Sequence, residues 1–142
     1  MKKMTARFII VSFIFGLLAG CANTQMSLYD ELGGKETVGQ IVDNFIHEIE
    51  YDQIMFAYFA ESDIERFREK LNEHLCFLAN GPCAYTGDTM EQVHAGMNIS
   101  ERDFNHGVDL FIAAMTKAKV PHPLQNKLLA KMVPTRKEII YL

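Results

Sequence analysis

Apolar side chains recur at helical spacing along most of this sequence, and this pattern constrains the fold more than any other feature. The clearest stripe runs from Val38 to Ile49, where apolar residues return every three or four positions. Similar stripes follow at 64–78, 104–115 and 124–139, and no repeat, low-complexity tract or domain boundary interrupts them. The pattern therefore predicts a single all-α domain.

Glycine, proline and capping residues predict where these helices begin and end. A short first element at Leu28–Leu32 runs into Gly33-Gly34, and paired glycines permit a sharp chain reversal. Ser62 with Glu65 forms a capping-box pattern, which predicts the start of the third long helix. Asn80-Gly81-Pro82 is a strong signal for the end of that helix.

The second half of the chain carries weaker boundary signals. Ser100 with Asp103 is a variant of the capping pattern and predicts the start of a fourth long helix. Pro121 and Pro123 mark the next boundary. We expect the final helix to bend at Pro134, because proline lacks an N–H donor and its ring clashes with the preceding turn.

Two segments break the helical pattern. The aromatic stretch MFAYF at 55–59 is expected to be irregular, and Cys83–Asn98 is expected to be poorly structured. The second segment contains His94, followed by the small residues Ala95 and Gly96. Four substantial helices would therefore enclose one irregular segment with a histidine in it.

The N-terminus carries a different kind of signal. A basic start, Met1–Arg7, precedes an uncharged apolar run at Phe8–Gly20, which is too short to span a bilayer comfortably as a mature helix. The run ends in Leu18-Ala19-Gly20-Cys21, which resembles the lipobox of bacterial lipoproteins, where the cysteine is lipidated after cleavage. An uncleaved anchor with an incidental cysteine is the alternative. Both interpretations place the domain outside the cytosol.

This signal divides the chain into three parts: a signal peptide at 1–20, a lipidated tether at 21–27 and a globular domain at 28–142. Cleavage would remove three basic residues and no acidic one, so the net charge would fall from −4 to −7. Such an acidic domain is not expected to bind nucleic acid or anionic lipid through its own surface. We expect an exported lipoprotein, held at a membrane by acyl chains on Cys21 and facing the periplasm.

Four motifs occur in a recognisable order: YDELGG at 29–34, FAYF at 56–59, NGPCAYTG at 80–87 and MEQVHAGMNIS at 90–100. In this order they resemble the group I truncated haemoglobins, small globins with a two-over-two helical fold. The resemblance covers about Leu28 to Ile140. It implies that His94 is the proximal ligand of haem iron, that Phe59 packs against the haem, and that Tyr85 belongs to the loop preceding the proximal segment.

The chemistry of these residues agrees with the resemblance. Neutral imidazole is a good iron ligand, and Ala95 and Gly96 have little bulk to obstruct a flat macrocycle. The sequence lacks a CxxCH motif, so we expect non-covalent haem b. His47, His106 and His122 are expected to be surface residues.

On the distal side the chain departs from its relatives. Many group I members carry a tyrosine on the second helix and a glutamine or similar residue on the third, which together hold oxygen by hydrogen bonds. Alignment places Ile46 at the tyrosine position and Phe67 and Leu71 at the two distal positions. None of them can donate a hydrogen bond. Losing a donor worth roughly 1.5–3 kcal/mol predicts oxygen release faster by about one to two orders of magnitude, with CO and NO affected less.

Two residues on the third helix could restore polarity. The resemblance places Lys70 where some relatives supply a sixth iron ligand and others a partner for a haem propionate; we favour a solvated or propionate-paired lysine. His74 lies one turn further along, about 5.4 Å, and is a candidate distal donor or ligand.

Cys76 and Cys83 remain once Cys21 is assigned to the lipobox. On one continuous helix, residues seven apart rise about 10.5 Å, beyond the Cα limit of about 7 Å for a disulfide. Gly81-Pro82 breaks that helix and would let Cys83 fold back. We expect two buried free thiols, with a disulfide as the alternative.

The sequence therefore predicts a membrane-tethered truncated globin that binds oxygen, CO or NO at haem iron in an apolar distal pocket. A haem redox enzyme, acting in NO oxidation or weak peroxidase chemistry with an unidentified reductase, is the first alternative. An apolar pocket suits peroxidase chemistry poorly, because peroxide cleavage benefits from a distal acid-base group. His74 is the only evident candidate for such a group. A haem-free helical lipoprotein with a structural role is the second alternative.

Overall fold

The computed structural model describes residues 25–142, which form α-helices and one 3-10 helix without an extended strand. The predicted signal peptide and the lipidation site at Cys21 lie outside these residues. The helices are α1 (Leu28–Leu32), α2 (Gly34–Glu50), α3 (Gln53–Phe59), α4 (Ile64–Leu78), α5 (Met90–His94), α6 (Glu101–Lys117) and α7 (His122–Met132), followed by the 3-10 helix Val133–Glu138. The all-α prediction is confirmed.

Four of these helices form two pairs that pack on each other. Helix α2 packs on α4, and α6 packs on α7. The pairs meet where α2 lies along α6 and where α4 contacts α7. This arrangement is the two-over-two layout that the motifs predicted.

The core lies between the two pairs and is mostly aliphatic. Ile41, Leu75, Met115 and Leu128 come from the four different helices, and each has no exposed surface. Burying such a side chain contributes about 1.5–3 kcal/mol. Most of the apolar stripe that defined α2 in the sequence faces this core: Val38, Ile41, Val42 and Ile49 are buried.

Two boundary predictions were wrong. The aromatic stretch at 55–59 is not irregular but forms most of α3, because the Asp52 carboxylate accepts hydrogen bonds from the Ile54 and Met55 amides and caps the helix. Helix α4 is capped by Asp63, not by Ser62: the Asp63 side chain accepts from the Arg66 amide at 3.0 Å.

The other boundary signals behave largely as expected. Gly33 and Gly34 both have positive φ, at 102° and 65°, and they turn the chain from α1 into α2. Ser100 caps α6 by accepting from the Asp103 amide. Next to Pro134 the last α-helix ends, at Met132, and the chain continues as the 3-10 helix from Val133.

The expectation of free thiols was also wrong, because Cys76 and Cys83 form a disulfide. Helix α4 ends at Leu78, and Asn80 then adopts a left-handed conformation that turns the chain back. The Gly81 amide donates to the Cys76 carbonyl at 2.8 Å, which brings the two cysteine Cα atoms to 5.9 Å. A side chain at Gly81 would collide with the Cys76 sulfur, so glycine is required at this reversal.

None of the helices described between residues 25 and 142 is both long enough and apolar enough to cross a membrane.

Candidate functional site

Helix α5 places His94 and lies inside the segment expected to be poorly structured. That expectation was wrong for Met90–His94, because a complete capping box starts the helix there. The Thr89 hydroxyl accepts from the Gln92 amide at 3.2 Å, and the Gln92 side chain accepts from the Thr89 amide at 2.9 Å. The sequence carried this signal as Thr89 and Gln92, three residues apart.

The imidazole of His94 is held in one orientation by its own helix. Its Nδ1 donates to the Met90 carbonyl at 2.8 Å. The ring is half-buried, and burial lowers the pKa of His94, with the bond to Met90 opposing this effect. The side chain is therefore neutral at neutral pH, with its lone pair on Nε2. A histidine whose Nδ1 is committed to a carbonyl is the usual arrangement of a metal-binding imidazole.

The backbone after His94 leaves open space. Ala95 and Gly96 are exposed, and Gly96 has a φ of 79°. A Cβ built at Gly96 would meet nothing within 4 Å. The small pair therefore leaves room beside His94, as expected from the sequence.

One face of α4 is largely apolar but incompletely covered. Phe67, Leu71, His74 and Leu78 follow one another at helical spacing and are all half-buried. Among the described residues, α4 and α5 make at most a marginal contact, while α5 packs on the 3-10 helix. A half-covered, largely apolar face of this kind is suited to a flat apolar ligand.

The predicted distal residues lie on or beside this face. Phe59 on α3 contacts Phe67 with ring centroids 4.8 Å apart. Ile46 on α2 is half-buried and packs against the core, as does Leu71. These side chains carry no hydrogen-bond donor.

Lys70 is tied to charged neighbours. Its Nζ donates to the carboxylates of Glu69 and Glu73, at 2.8 and 3.1 Å, and to the Thr86 hydroxyl at 2.7 Å. The hydrogen bonds to Glu69 and Glu73 raise the pKa of Lys70. A lysine held in its charged form has no lone pair to coordinate iron, which favours the paired role over the ligand role.

His74 is placed differently from Lys70. Its ring packs edge-on against the Tyr85 ring, with centroids 4.8 Å apart, and burial lowers the pKa of His74. Its Nδ1 is buried and finds no hydrogen-bond partner among the described residues. Buried polar atoms in native proteins are nearly always paired, so this atom is an exception within the described part of the chain.

The remaining histidines divide into two groups. His47 and His122 are exposed, as expected. His106 is half-buried, and its Nε2 lies 2.6 Å from the Asp52 carboxylate. No pattern in the sequence indicated this pair, because the two residues lie 54 positions apart in the chain.

A second bond joins the same elements. The hydroxyl of Tyr58 on α3 donates to the carboxylate of Asp103 on α6 at 2.9 Å. Together with the pair of Asp52 and His106, it fixes α3 to α6 and so positions Phe59 beside the half-covered face of α4.

A broad depression on the opposite side of α4 is a poor candidate for the same ligand. It opens to solvent between α2 and α4, and its lining includes charged side chains such as Arg66, Arg68 and Glu69. His94 does not line it.

The sequence model of the Bacterial-like globin family matches residues 27–141. The chain belongs to this globin family. It is 31% identical over 113 residues to the group 1 truncated haemoglobin GlbN of Mycolicibacterium paratuberculosis, covering 80% of this chain and 83% of that protein. It is 24% identical to the group 1 truncated haemoglobin of Tetrahymena pyriformis, covering 83% of this chain and 98% of that one.

Solved structures show the same fold. The Fe(III) form of the Tetrahymena pyriformis truncated haemoglobin superposes with a TM-score of 0.78 at 23% identity, covering 82% of this chain and all of that one. The two-over-two haemoglobin of a Synechococcus species superposes with a TM-score of 0.75 at 17% identity, covering 81% and 98%. The resemblance to group I truncated haemoglobins is confirmed, and so is the two-over-two fold.

The cofactor of this globin is haem with its iron. The residues of the structure fit it. No cluster of three or more metal-binding side chains occurs among residues 25–142, but haem iron requires only one or two protein ligands because the macrocycle supplies the others. His94 offers a neutral imidazole, and α4 offers a half-covered, largely apolar face beside the ring of Phe59.

Proposed function

We propose that this globin holds haem iron through His94 and binds oxygen, CO or NO reversibly beside Ile46, Phe67 and Leu71. Ferrous haem, when bound, supplies the reversible binding site for these gases. The observation that carries the proposal is the bond from His94 Nδ1 to the Met90 carbonyl, which leaves the Nε2 lone pair available on a rigid, neutral ring.

The protein's side chains define the environment of the ligand. Ile46, Phe67 and Leu71 exclude water and present only apolar atoms, and Phe59 supports Phe67 from α3. Lys70 is paired with Glu69 and Glu73, so its charge is met by side chains of the protein itself. An apolar pocket of this kind should discriminate only weakly in favour of oxygen over CO and NO.

The test of the ligand assignment is His94→Gly in the purified protein. We expect loss of the Soret band, or a weakly bound haem that added imidazole restores. His122→Gly is the matched control, because that histidine is exposed and also lies at a helix end, and it should keep full haem. If His94→Gly retained stoichiometric haem with an unchanged five-coordinate ferrous spectrum, His94 would not be the ligand.

A redox role remains the alternative function, with an unidentified reductase as partner. The observation in its favour is His74, a half-buried imidazole that burial keeps neutral and that could accept a proton. Steady NO or peroxide consumption with a reductant, abolished in His74→Leu, would favour the enzyme. Because the cofactor of this globin is haem, the alternative of a haem-free structural lipoprotein is set aside.

We also propose that the globin is an exported lipoprotein with its lipid on Cys21 and its domain facing the periplasm. The motif Leu18-Ala19-Gly20-Cys21 supports this proposal. Labelled fatty acid should enter the wild-type protein but not Cys21→Ser. Equal labelling of the two would end the lipobox interpretation.

A further inference from the structure

Helix α5 is too small to hold its own position. It has five residues, and none of its side chains is buried. A helix this short is marginal in isolation. The bond from His94 Nδ1 to the Met90 carbonyl spans one turn of α5, so it exists only while that turn is formed. The orientation of the imidazole therefore depends on what holds the two ends of α5.

The upstream end of α5 is held through the loop 83–88. A disulfide joins Cys83 to Cys76 on α4. The amide and hydroxyl of Thr86 donate to the Glu73 carboxylate, also on α4, at 2.9 and 2.8 Å. Helix α4 thus fixes the chain just before α5 begins.

The downstream end of α5 is held by residues 139–142, the strap. The Asn98 amide donates to the Leu142 carbonyl at 2.8 Å. In the opposite sense, the Tyr141 amide donates to the Ile99 carbonyl at 3.0 Å. These two backbone bonds fix the chain directly after α5.

The strap is itself anchored in the fold. Ile99 is 6% exposed and pairs with Ile140 in a parallel bridge. Just before the strap, the Arg136 guanidinium pairs with the Glu101 carboxylate and lies 5.7 Å from the centroid of the Phe104 ring. Both partners belong to the start of α6, and the 3-10 helix that carries Arg136 is the element that α5 contacts most. The strap therefore ties the chain after α5 to the start of α6.

Resting on the proposed function, we propose that the strap is the positioning element of the iron ligand: it holds the downstream end of α5 so that His94 keeps one orientation toward haem. The backbone of the strap does this, because the side chains of Tyr141 and Leu142 are 62% and 38% exposed and bury little surface. Loss of the strap should therefore loosen α5 while the core stays packed.

Two substitutions at one position separate the backbone of the strap from its side chains. Tyr141 has a φ of 58°, which glycine adopts freely and which proline excludes, because its ring fixes φ near about −65°. Proline also removes the amide that donates to the Ile99 carbonyl. Tyr141→Pro should break the strap, whereas Tyr141→Gly should preserve both backbone bonds.

The first measurement is amide hydrogen exchange in the purified protein. The amides of Val93 and Met97 donate to the Thr89 and His94 carbonyls and so report on α5 and its end. We expect Tyr141→Pro to accelerate the exchange of these two amides about tenfold, the equivalent of one or two lost hydrogen bonds, and to leave the amides of α2 unchanged. Equal acceleration in α2 would show a general loss of stability and overturn the proposal, as would unprotected Val93 and Met97 amides in the wild type.

The second measurement concerns haem. In Tyr141→Pro the iron–histidine stretching band of the ferrous holoprotein should shift or broaden in resonance Raman spectra, and haem should transfer to apomyoglobin roughly three- to tenfold faster. Tyr141→Gly should match the wild type in both. An unchanged band and rate in Tyr141→Pro would overturn the proposal, and equal changes in the two variants would show that the side chain acts and not the backbone.

Two further proteins complete the series. Deletion of residues 141–142 removes both backbone bonds and should reproduce the effects of Tyr141→Pro; a deletion without effect would overturn the proposal. Val133→Ala is the matched control, because Val133 is 69% exposed on the neighbouring 3-10 helix, and it should change nothing. Absence of a Soret band from the wild type would refute the proposed function, while amide exchange would still decide whether the strap holds α5.

Discussion

The two faces of α4 differ in how completely the protein covers them. Leu75 and Ala79 are fully buried and Cys76 is 2% exposed, all within the aliphatic core. Phe67, Leu71 and His74, on another face of the same helix, are only half-buried. The protein alone covers the first face, whereas it leaves the second partly exposed.

The comparison separates stability from function along one helix. The core face supplies the packing that keeps the two helix pairs together without any ligand. On the proposed function, haem covers the half-covered face when it binds, so binding should stabilise the folded state by mass action. The loss of unfolding free energy caused by a substitution should consequently depend on haem for the half-covered face but not for the core face.

Leu75→Ala and Leu71→Ala test this difference most directly, and they carry the largest expected effect. Leu75→Ala should lower the free energy of unfolding of the apoprotein by about 2–5 kcal/mol, because it opens a cavity in a fully buried site. Leu71→Ala should cost clearly less in the apoprotein and more once haem is bound. Urea unfolding with and without haem measures both; equal losses in the apoprotein would show that the two faces are alike.

The disulfide connects the two faces, since Cys76 lies in the core and Cys83 anchors the loop that carries Tyr85. Removing it in Cys76→Ala/Cys83→Ala should lower the free energy of unfolding by roughly 2.5 kcal/mol, the chain-entropy value for so short a loop. Dithiothreitol should destabilise the wild type but leave the double variant unchanged. If the reductant affected both alike, the bridge would not account for the difference.

Ile46→Tyr sharpens the description of the half-covered face. On the proposed function, a tyrosine hydroxyl there should slow oxygen release from the ferrous holoprotein about tenfold, which corresponds to about 1.4 kcal/mol, because Ile46, Phe67 and Leu71 carry no hydrogen-bond donor. CO release should change much less, because bound CO carries less charge. Stopped-flow release of both gases from the wild type and Ile46→Tyr measures the difference. Equal changes in the two rates would show that the introduced hydroxyl does not reach the ligand.

The smallest expected effect is the pH dependence of the hydrogen bonds by which Thr86 attaches its loop to Glu73 on α4. Hydrogen bonds from Thr86, first from its amide, and then from Lys70 lower the pKa of Glu73 from 4.5 to about 2. Because the folded-state pKa lies below the unfolded one, the ionised carboxylate stabilises the fold above pH 4.5, and this contribution is lost as the pH falls toward 2.

The free energy of unfolding of Glu73→Gln should therefore fall less than that of the wild type between pH 4.5 and 2. Above pH 4.5 the two proteins should show the same dependence on pH. Urea unfolding of the apoprotein across this range measures the difference. The effect should be modest, because the carboxylate is partly exposed to solvent. Identical acid profiles would show that Glu73 does not hold the loop.

Local sequence signals were reliable where short-range physics decides the outcome. Paired glycines placed the turn between α1 and α2, and Ser100 placed the start of α6, because caps and left-handed turns involve only neighbouring residues. The same reasoning failed at Ser62, where Asp63 competes for the same role one residue later. It also failed at 55–59, where the cap at Asp52 outweighs an irregular apolar pattern.

The candidate site was predictable in part for the same reason. His94, its small neighbours and the Thr89 capping box lie close together in the chain, so the segment that presents the imidazole is encoded locally. The order of the motifs was sufficient to indicate the globin family that the comparisons then established.

The sequence by itself determined the all-α class, the approximate helices and the globin family, and it singled out His94 as the proposed iron ligand, because periodicity and motif order reflect contacts within one helix or turn. Only the tertiary structure decided the disulfide, the pairing of Asp52 with His106 and the lack of a partner for His74 Nδ1 among residues 25–142. Each depends on which side chains meet, or fail to meet, after the chain has reversed direction. No periodic pattern contains that information, since it arises only when separate helices pack.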